Sequence, residues 1–245
     1  MSVERLYGVH SVERVLKQAP HLVYSLILPQ GHRNPRQQAL LQQAEHLGVA
    51  VRFEGKSFFA KLEAVHQGVI AEVAEKAQFS EQDLLALVEN KPNALILFLD
   101  EIQDPHNLGA MLRTADATGV DAVVIPKNNA VGVNPTVRKV ACGAAETMNV
   151  AVVTNLSRTL ARLKEAGLWV VGLAGETEQM LYQTRFSGAL GIVMGAEGTG
   201  LRQLTRQHCD EIVAIPMCGT VESLNVSVAT GVVLYEVWRQ RHLVV

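Results

Sequence analysis

Aromatic residues are scarce in this chain, with six Phe, four Tyr and two Trp making up 5 % of its 245 residues. Unstacked RNA bases are commonly held on aromatic rings, and so thin a supply leaves no stacking residue to nominate. Cysteine is scarcer still. Cys142, Cys209 and Cys218 are odd in number and show no CxxC or other ligand spacing, which argues against a disulfide frame or a zinc site and fits a reducing, cytoplasmic setting. No apolar run approaches the roughly 20 residues needed to span a bilayer, and Ala94 to Leu99 has the length and flanks of a core strand. The first 18 residues are amphipathic but broken by Glu4, Arg5, Glu13, Arg14 and Lys17, unlike a signal peptide. An excess of basic charge is lacking too: 22 Lys and Arg stand against 24 Asp and Glu, a net charge of −2. The usual footprint of a nucleic-acid binder is therefore missing, so any RNA site must be local.

What is present suits a soluble globular protein, with 48 % hydrophobic and 19 % charged residues. The length favours two domains of unequal size. Residues 1–75 read as a small α/β unit. A helix is expected over Tyr7–Lys17, with Val9, Val12 and Leu16 on one face, then strands at Leu22–Leu28, Ala50–Phe53 and Val69–Val73. A helix over Arg36–Leu47 is expected to stop at a C′ glycine, Gly48. The periodicity lapses from Glu75 to Ser80, where a linker is placed, and Ser80 with Asp83 starts a connecting helix through Glu89, so that 76–92 joins the two domains. From residue 93 to 245 strands and helices alternate, and the short continuous apolar runs predict a parallel sheet buried on both faces. Helices are expected at Asn107–Thr118, Pro135–Ala144, Leu156–Ala166, Leu201–His208 and Asn225–Arg241, the second opened by Asn134 and Pro135 as cap and first-turn pair.

Three separated segments of the second domain carry residues suited to chemistry. Asp104-Pro105-His106-Asn107-Leu108-Gly109 follows a strand and opens a helix, presenting free backbone donors at a strand's carboxyl end; Asn107 is expected in the cap and Arg113 on the helix. Gly195-Ala196-Glu197-Gly198-Thr199-Gly200 has the composition of a nucleotide loop, but its G-x-x-G-x-G spacing fails the dinucleotide fingerprint, and no G-x-x-x-x-G-K-[ST] is present. A carboxylate inside such a turn, Glu197, suits an orienting partner for a base or an arginine. The third segment runs from Ile215-Pro216-Met217 to Ser223-Leu224-Asn225-Val226-Ser227. It ends in a helix start with more small polar groups than one cap requires. Each segment alone admits a structural reading: a helix cap with a solvated arginine, a tight strand-to-helix turn, a second cap.

Together, Asn107-x5-Arg113, Met194-Gly195-x-Glu197-Gly198-x-Gly200 and Ile215-Pro216-Met217…Ser223-Leu224-Asn225-Val226-Ser227-x-Ala229 resemble the three motifs of the SpoU class of ribose methyltransferases, within the SPOUT superfamily. Tyr7-Gly8-x-His10 and His66-Gln67-Gly68 extend the resemblance over both domains, to the branch that methylates a guanosine ribose in 23S rRNA. The resemblance implies an α/β catalytic domain whose C-terminal segment forms a trefoil knot, an exception to the usual un-knotted topology. It also implies a small N-terminal RNA-binding domain similar to ribosomal RNA-binding proteins. S-adenosylmethionine is the implied methyl donor, with no metal, held at Leu173, Ala174, Gly175, Gly195, Ile215, Met217 and Leu224. Arg113 is the implied central catalytic residue, with Asn107, Glu197, Ser223 and Asn225 orienting it, the ribose or the phosphate. The implied partners are 23S rRNA or a large-subunit assembly intermediate and a second copy of the chain, in the cytoplasm.

Two other readings share part of this pattern. A sibling enzyme acting on tRNA ribose would carry the same three motifs, and only the N-terminal block argues against it. An RNA-binding module that has lost its chemistry would keep the fold, but the joint retention of Asn107, Arg113, Glu197 and Asn225 disfavours it.

Overall fold

The computed structural model describes residues 3–63, 66–74, 78–196, 198 and 200–243. They fall into two compact units, Met1–Ala77 with Cys142–Thr147, and Gln78–Ala141 with Met148–Val245. The first contains β1 (Val3–Tyr7), α1 (Val9–Gln18), β2 (Val23–Pro29), α2 (Pro35–His46), β3 (Ala50–Glu54), α3 (Lys56–Ala60) and β4 (Ile70–Ala74). Its sheet runs β1-β4-β2-β3, with β4 antiparallel to both neighbours and β2 parallel to β3. Helix α1 buries Val9, Val12, Val15 and Leu16, the spacing of one helical face. They meet Leu26, Leu28, Ala71 and Val73 from the sheet. Helix α2 opens with a reciprocal capping box between Asn34 and Gln37, and Gly48 follows it at φ +69° as expected for a C′ glycine.

Strand β1 corrects the sequence reading, which took Tyr7 into a helix and saw no strand before it. Val3–Tyr7 is extended because each residue pairs with β4, from Val3 opposite Ala74 to Tyr7 opposite Ile70. Its partner lies some 65 residues downstream, so a local window holds no trace of the pairing. The Tyr7-Gly8-x-His10 and His66-Gln67-Gly68 segments are joined at this edge. Gly8 N–H donates to the Val69 carbonyl at 3.0 Å and Val9 N–H to Gln67 Oε1 at 3.3 Å.

The second unit holds α4 (Glu81–Asn90), β5 (Leu95–Leu99), α5 (Pro105–Ala117), β6 (Ala122–Pro126), α6 (Pro135–Ala141), β7 (Asn149–Val153), α8 (Leu156–Glu165), β8 (Trp169–Leu173), β9 (Leu190–Met194), α9 (Gln203–His208), β10 (Glu211–Val213) and α10 (Val226–His242). One short helix, α7 (Ala144–Thr147), belongs to the first unit. The six strands are all parallel, in the order β10-β8-β9-β5-β6-β7. Every residue of β5, β6 and β9 is buried, as a sheet covered on both faces requires. Ile96 and Phe98 pack with Leu84 and Val88 of α4 and with Leu156, Leu160 and Leu163 of α8; Leu95, Leu97 and Leu99 alternate to the other face. Ser80 and Asp83 form the expected capping box, and Asn134 Oδ1 accepts the Val137 N–H at 3.0 Å. The helix expected over Pro135–Ala144 breaks after Ala141, because Cys142 and Gly143 both take positive φ, +50° and +92°.

Among the described residues no helix is long and apolar enough to cross a membrane.

Candidate active site at the carboxyl ends of four adjacent strands

Parallel strands place all their carboxyl ends on one edge of the sheet, which is where open α/β sheets bind ligands. The neighbours β10, β8, β9 and β5 therefore bring together four segments far apart in sequence. Leu173, Ala174 and Gly175 leave β8, Gly195 leaves β9, Ile215 and Met217 follow β10, and the turn before Asn107 leaves β5. Leu173 and Gly195 are buried, Ala174, Ile215 and Leu224 half-buried, and Gly175 and Met217 exposed. The rims are stitched by main-chain bonds: Ala174 N–H donates to the Val213 carbonyl at 3.1 Å and Asp100 N–H to the Met194 carbonyl at 2.8 Å.

The glycine loop closes on itself. Ala196 and Gly200 exchange both main-chain hydrogen bonds, at 3.1 and 2.9 Å, and Gly200 takes φ +66°. Gly195 is irreplaceable for a steric reason, since a Cβ there would lie 2.2 Å from the Gly200 carbonyl carbon and 2.5 Å from the Leu201 nitrogen. Glu197, at the tip of this loop in sequence, lies outside the described residues.

Asn107 and Asn225 meet directly. Asn225 Nδ2 donates to Asn107 Oδ1 at 3.0 Å, across 118 residues. The same Asn225 side chain caps α10, its Oδ1 accepting from the Ser227 N–H at 3.0 Å and Val228 N–H at 3.4 Å. One amide thus serves both as helix cap and as a bridge to α5, which packs against α10. The cap of α5 is Asp104, which accepts the His106 N–H at 2.9 Å, with Pro105 at the first helical position. Asn107 is therefore not the cap, as the sequence suggested; it is a buried first-turn residue, 9 % exposed. A carboxylate before proline satisfies the end, which frees Asn107 to face α10. Asp104 is held below the usual carboxylate range by the hydrogen bond from the His106 backbone. Arg113 is exposed, further along α5. Ser223 is exposed on the loop before Asn225. Ser227 and Thr230, the other small polar groups of this segment, bond locally, Ser227 Oγ to Asn225 Oδ1 at 2.6 Å and Thr230 Oγ1 to the Val226 carbonyl at 2.7 Å.

An ion pair unseen in the sequence lies at the same edge. Asp100, whose side chain is fully buried, follows β5; Arg202, just after the glycine loop, reaches its Oδ1 with Nε at 2.8 Å and Nη2 at 2.5 Å. The hydrogen bond to Asp100 raises the Arg202 pKa further. The only local signal is a carboxylate closing the apolar run Leu95–Leu99. Deeper in the fold, burial pushes the Cys209 thiol up to about 12, so this cysteine is a packing residue. Among the described residues no group of three or more His, Cys, Asp or Glu side chains could hold a metal.

Both the sequence and the fold of this chain are matched by known proteins. Residues 94–235 match the SpoU rRNA Methylase family, and residues 5–79 match the family of RNA 2′-O ribose methyltransferase substrate binding. The chain belongs to the SpoU rRNA methylase family. Among SpoU relatives, the 23S rRNA (guanosine-2′-O-)-methyltransferase RlmB of Pseudomonas putida is 51 % identical over 245 residues, covering 98 % of each chain. The RlmB of Escherichia coli is 46 % identical over 240 residues, 97 % of this chain and 99 % of its own. The crystal structure of the SpoU methyltransferase AviRb from Streptomyces viridochromogenes, in complex with the cofactor AdoMet, superimposes with a TM-score of 0.77. It covers 98 % of this chain and 90 % of that one at 22 % identity, which shows a shared SpoU fold.

Proposed function

We propose that this chain is an enzyme that transfers a methyl group from S-adenosylmethionine to the ribose 2′-oxygen of a guanosine in 23S rRNA. Near-full-length identity of about half to enzymes named for that reaction carries the reading. The sheet edge fits the donor. Leu173–Gly175, Gly195 and Ile215–Met217 come together at three adjacent strand ends, and Gly195 lets the Gly200 backbone close against the end of β9, where any side chain would collide with it. With Leu224 these residues would hold the donor, chiefly through backbone groups.

S-adenosylmethionine supplies a methyl group on a sulfonium, already an activated donor, so the chain's own task is positioning and proton handling. With the donor bound, the 2′-oxygen would bond to the methyl carbon as the carbon–sulfur bond breaks, the sulfur keeping the electron pair as a neutral thioether and the hydroxyl proton passing to solvent water. Arg113 is the central catalytic residue. A guanidinium stays protonated at any working pH, which suits it to steadying the developing alkoxide and the neighbouring phosphate rather than to serving as a base. Asn107, locked to Asn225, fixes the start of the helix that carries Arg113, while Ser223 and Glu197 orient the ribose or Arg113. Only RNA offers the 2′-hydroxyl, so DNA is rejected by chemistry.

Residues 1–75 would form the rRNA-binding domain, similar to ribosomal RNA-binding proteins, 76–92 the linker and connecting helix, and 93–245 the catalytic domain. A trefoil knot is the expected topology of the last. In its support, β10 lies outside β8 whereas α10, which follows it, packs on α5, so the chain after Val213 must pass back across the ends of β8 and β9. A homodimer is expected, and Val228 and Tyr235 expose apolar side chains on α10 that would suit a second copy. With rRNA or a large-subunit assembly intermediate as substrate, the enzyme would work in the cytoplasm.

The test is incubation with labelled S-adenosylmethionine and unmodified 23S rRNA, in parallel with unmodified tRNA, followed by nuclease digestion and mass spectrometry. A 2′-O-methylguanosine at one rRNA site is the expected product. Label in tRNA alone would instead assign the tRNA sibling activity.

A further inference from the structure

Asp100 follows β5 with its side chain entirely out of solvent, an unfavourable place for a carboxylate unless it is paired. Arg202 supplies the pairing with both its side chain and its main chain. Nε and Nη2 reach Oδ1 at 2.8 and 2.5 Å, while the Arg202 backbone N–H donates to Oδ2 at 3.3 Å. The remaining guanidinium edge extends to Glu101, Nη1 to Oε1 at 3.0 Å. Glu101 in turn accepts from Asn129 Nδ2 at 3.2 Å and sits in the left-handed region, φ +62°, where only a firm local constraint holds a non-glycine residue. A buried ion pair adds little net stability compared with an apolar pair of the same shape. What it supplies is geometry, because a planar guanidinium fixes direction as well as distance.

The two ends of this clamp have different destinations. Asp100 and Glu101 begin the turn that leads to Asn107 and Arg113 on α5, whereas Arg202 ends the loop that starts at Gly195. We propose that Arg202 is a positioning residue for methyl transfer: gripping Asp100, it sets the end of the glycine loop that begins at Gly195 against the turn that leads to Arg113. This rests on the methyltransferase reading above.

The experiment compares Arg202→Gln, Arg202→Lys, Asp100→Asn and the double variant Asp100→Asn/Arg202→Gln in the full-length protein. Thermal midpoint, S-adenosylmethionine affinity by calorimetry and single-turnover methyl transfer to 23S rRNA are measured for each. Each single neutral substitution strands a charge or a donor and is expected to lower the midpoint and slow transfer about 100-fold, the scale of a misplacement of about 1 Å. The double variant removes the buried charge altogether, so its midpoint recovers while transfer stays slow. Arg202→Lys keeps the charge but not the planar fork, and falls between. Recovery of transfer together with the midpoint in the double variant would reduce the pair to a structural role and overturn the proposal, as would wild-type transfer by Arg202→Gln. A wild type that binds no S-adenosylmethionine would bring down the functional reading itself; wild-type binding with unaffected variants would bring down the clamp alone.

Discussion

The two units solve the problem of presenting polar groups in opposite ways. In the second, six parallel strands are buried on both faces, so polar function is driven to the edge where all carboxyl ends emerge. Asn107 and Asn225, Asp100 and Arg202 meet there from opposite ends of the sequence. In the first, antiparallel pairing with β4 sends strand ends both ways and no single edge collects them. Its polar cluster lies instead on a sheet face: Glu72 Oε1 accepts from Arg5 at 3.0 Å, and its Oε2 accepts from Ser25 Oγ at 2.9 Å and Arg52 at 3.2 Å. Burial pushes Glu72 up, but the hydrogen bonds from Ser25 and Arg5, with the charges of Arg52 and Arg5, outweigh it and hold the carboxyl below its usual range. The parallel sheet gathers its polar groups at one edge, and the mixed sheet spreads them over a face.

Breaking the strand-end cluster should cost most. Arg113→Ala is expected to slow methyl transfer by about 10³-fold, the scale for losing one electrostatic stabiliser. S-adenosylmethionine binding and rRNA retention should stay near wild type by calorimetry and filter binding; normal turnover would sink the assignment. Gly195→Ala drives a methyl group into the Gly200 backbone. It should abolish measurable S-adenosylmethionine binding and cost about 1–3 kcal/mol in urea unfolding of the second unit, with rRNA binding retained. Asn225→Ala removes a helix cap, worth about 1 kcal/mol, and also the partner of Asn107. Asn225→Ser restores the cap without the reach to Asn107, so stability should return and turnover should not.

The smallest effect lies in the first unit. The folded Glu72 has a depressed pKa, so its stabilisation is present above the unfolded value of about 4.3 and is lost as pH falls through the folded one. Glu72→Gln should cost about 0.5–1 kcal/mol at pH 7, given that both arginine partners are partly exposed. The stabilities of wild type and variant should converge once the pH has fallen below the folded value. Methyl transfer measured with S-adenosylmethionine in excess should show its loss in KM for RNA, not in kcat.

Sequence reading recovered the parallel sheet, because β5, β6 and β9 are uninterrupted apolar runs, the pattern of strands buried on both faces. It missed β1, where Val3–Tyr7 carries Glu4 and Arg5 and becomes a strand only through a distant partner. The capping box at Ser80 was legible because its bonds span three residues. The role of Asn107 was misjudged for the same reason: a polar residue at a helix start reads as a cap, and only the fold shows Asp104 filling that place. Motif spacing brought Asn107, Gly195 and Asn225 into view, but not their mutual contacts. Asp100 and Arg202 stayed invisible, being an ordinary carboxylate and an ordinary arginine 102 positions apart.

The strand order has a consequence for how the chain is made. Strand β9 sits between β5 and β8, yet it is synthesised after both. Until residues 190–194 emerge from the ribosome, β5, β6 and β7 can form only a half-sheet with an open apolar edge, and β8 has neither of its neighbours. Such long-range pairing is slow to close, and an uncapped edge invites association with other chains. With β9 at the middle and β10 at the edge both still to come, the sheet closes only after most of the chain has been made.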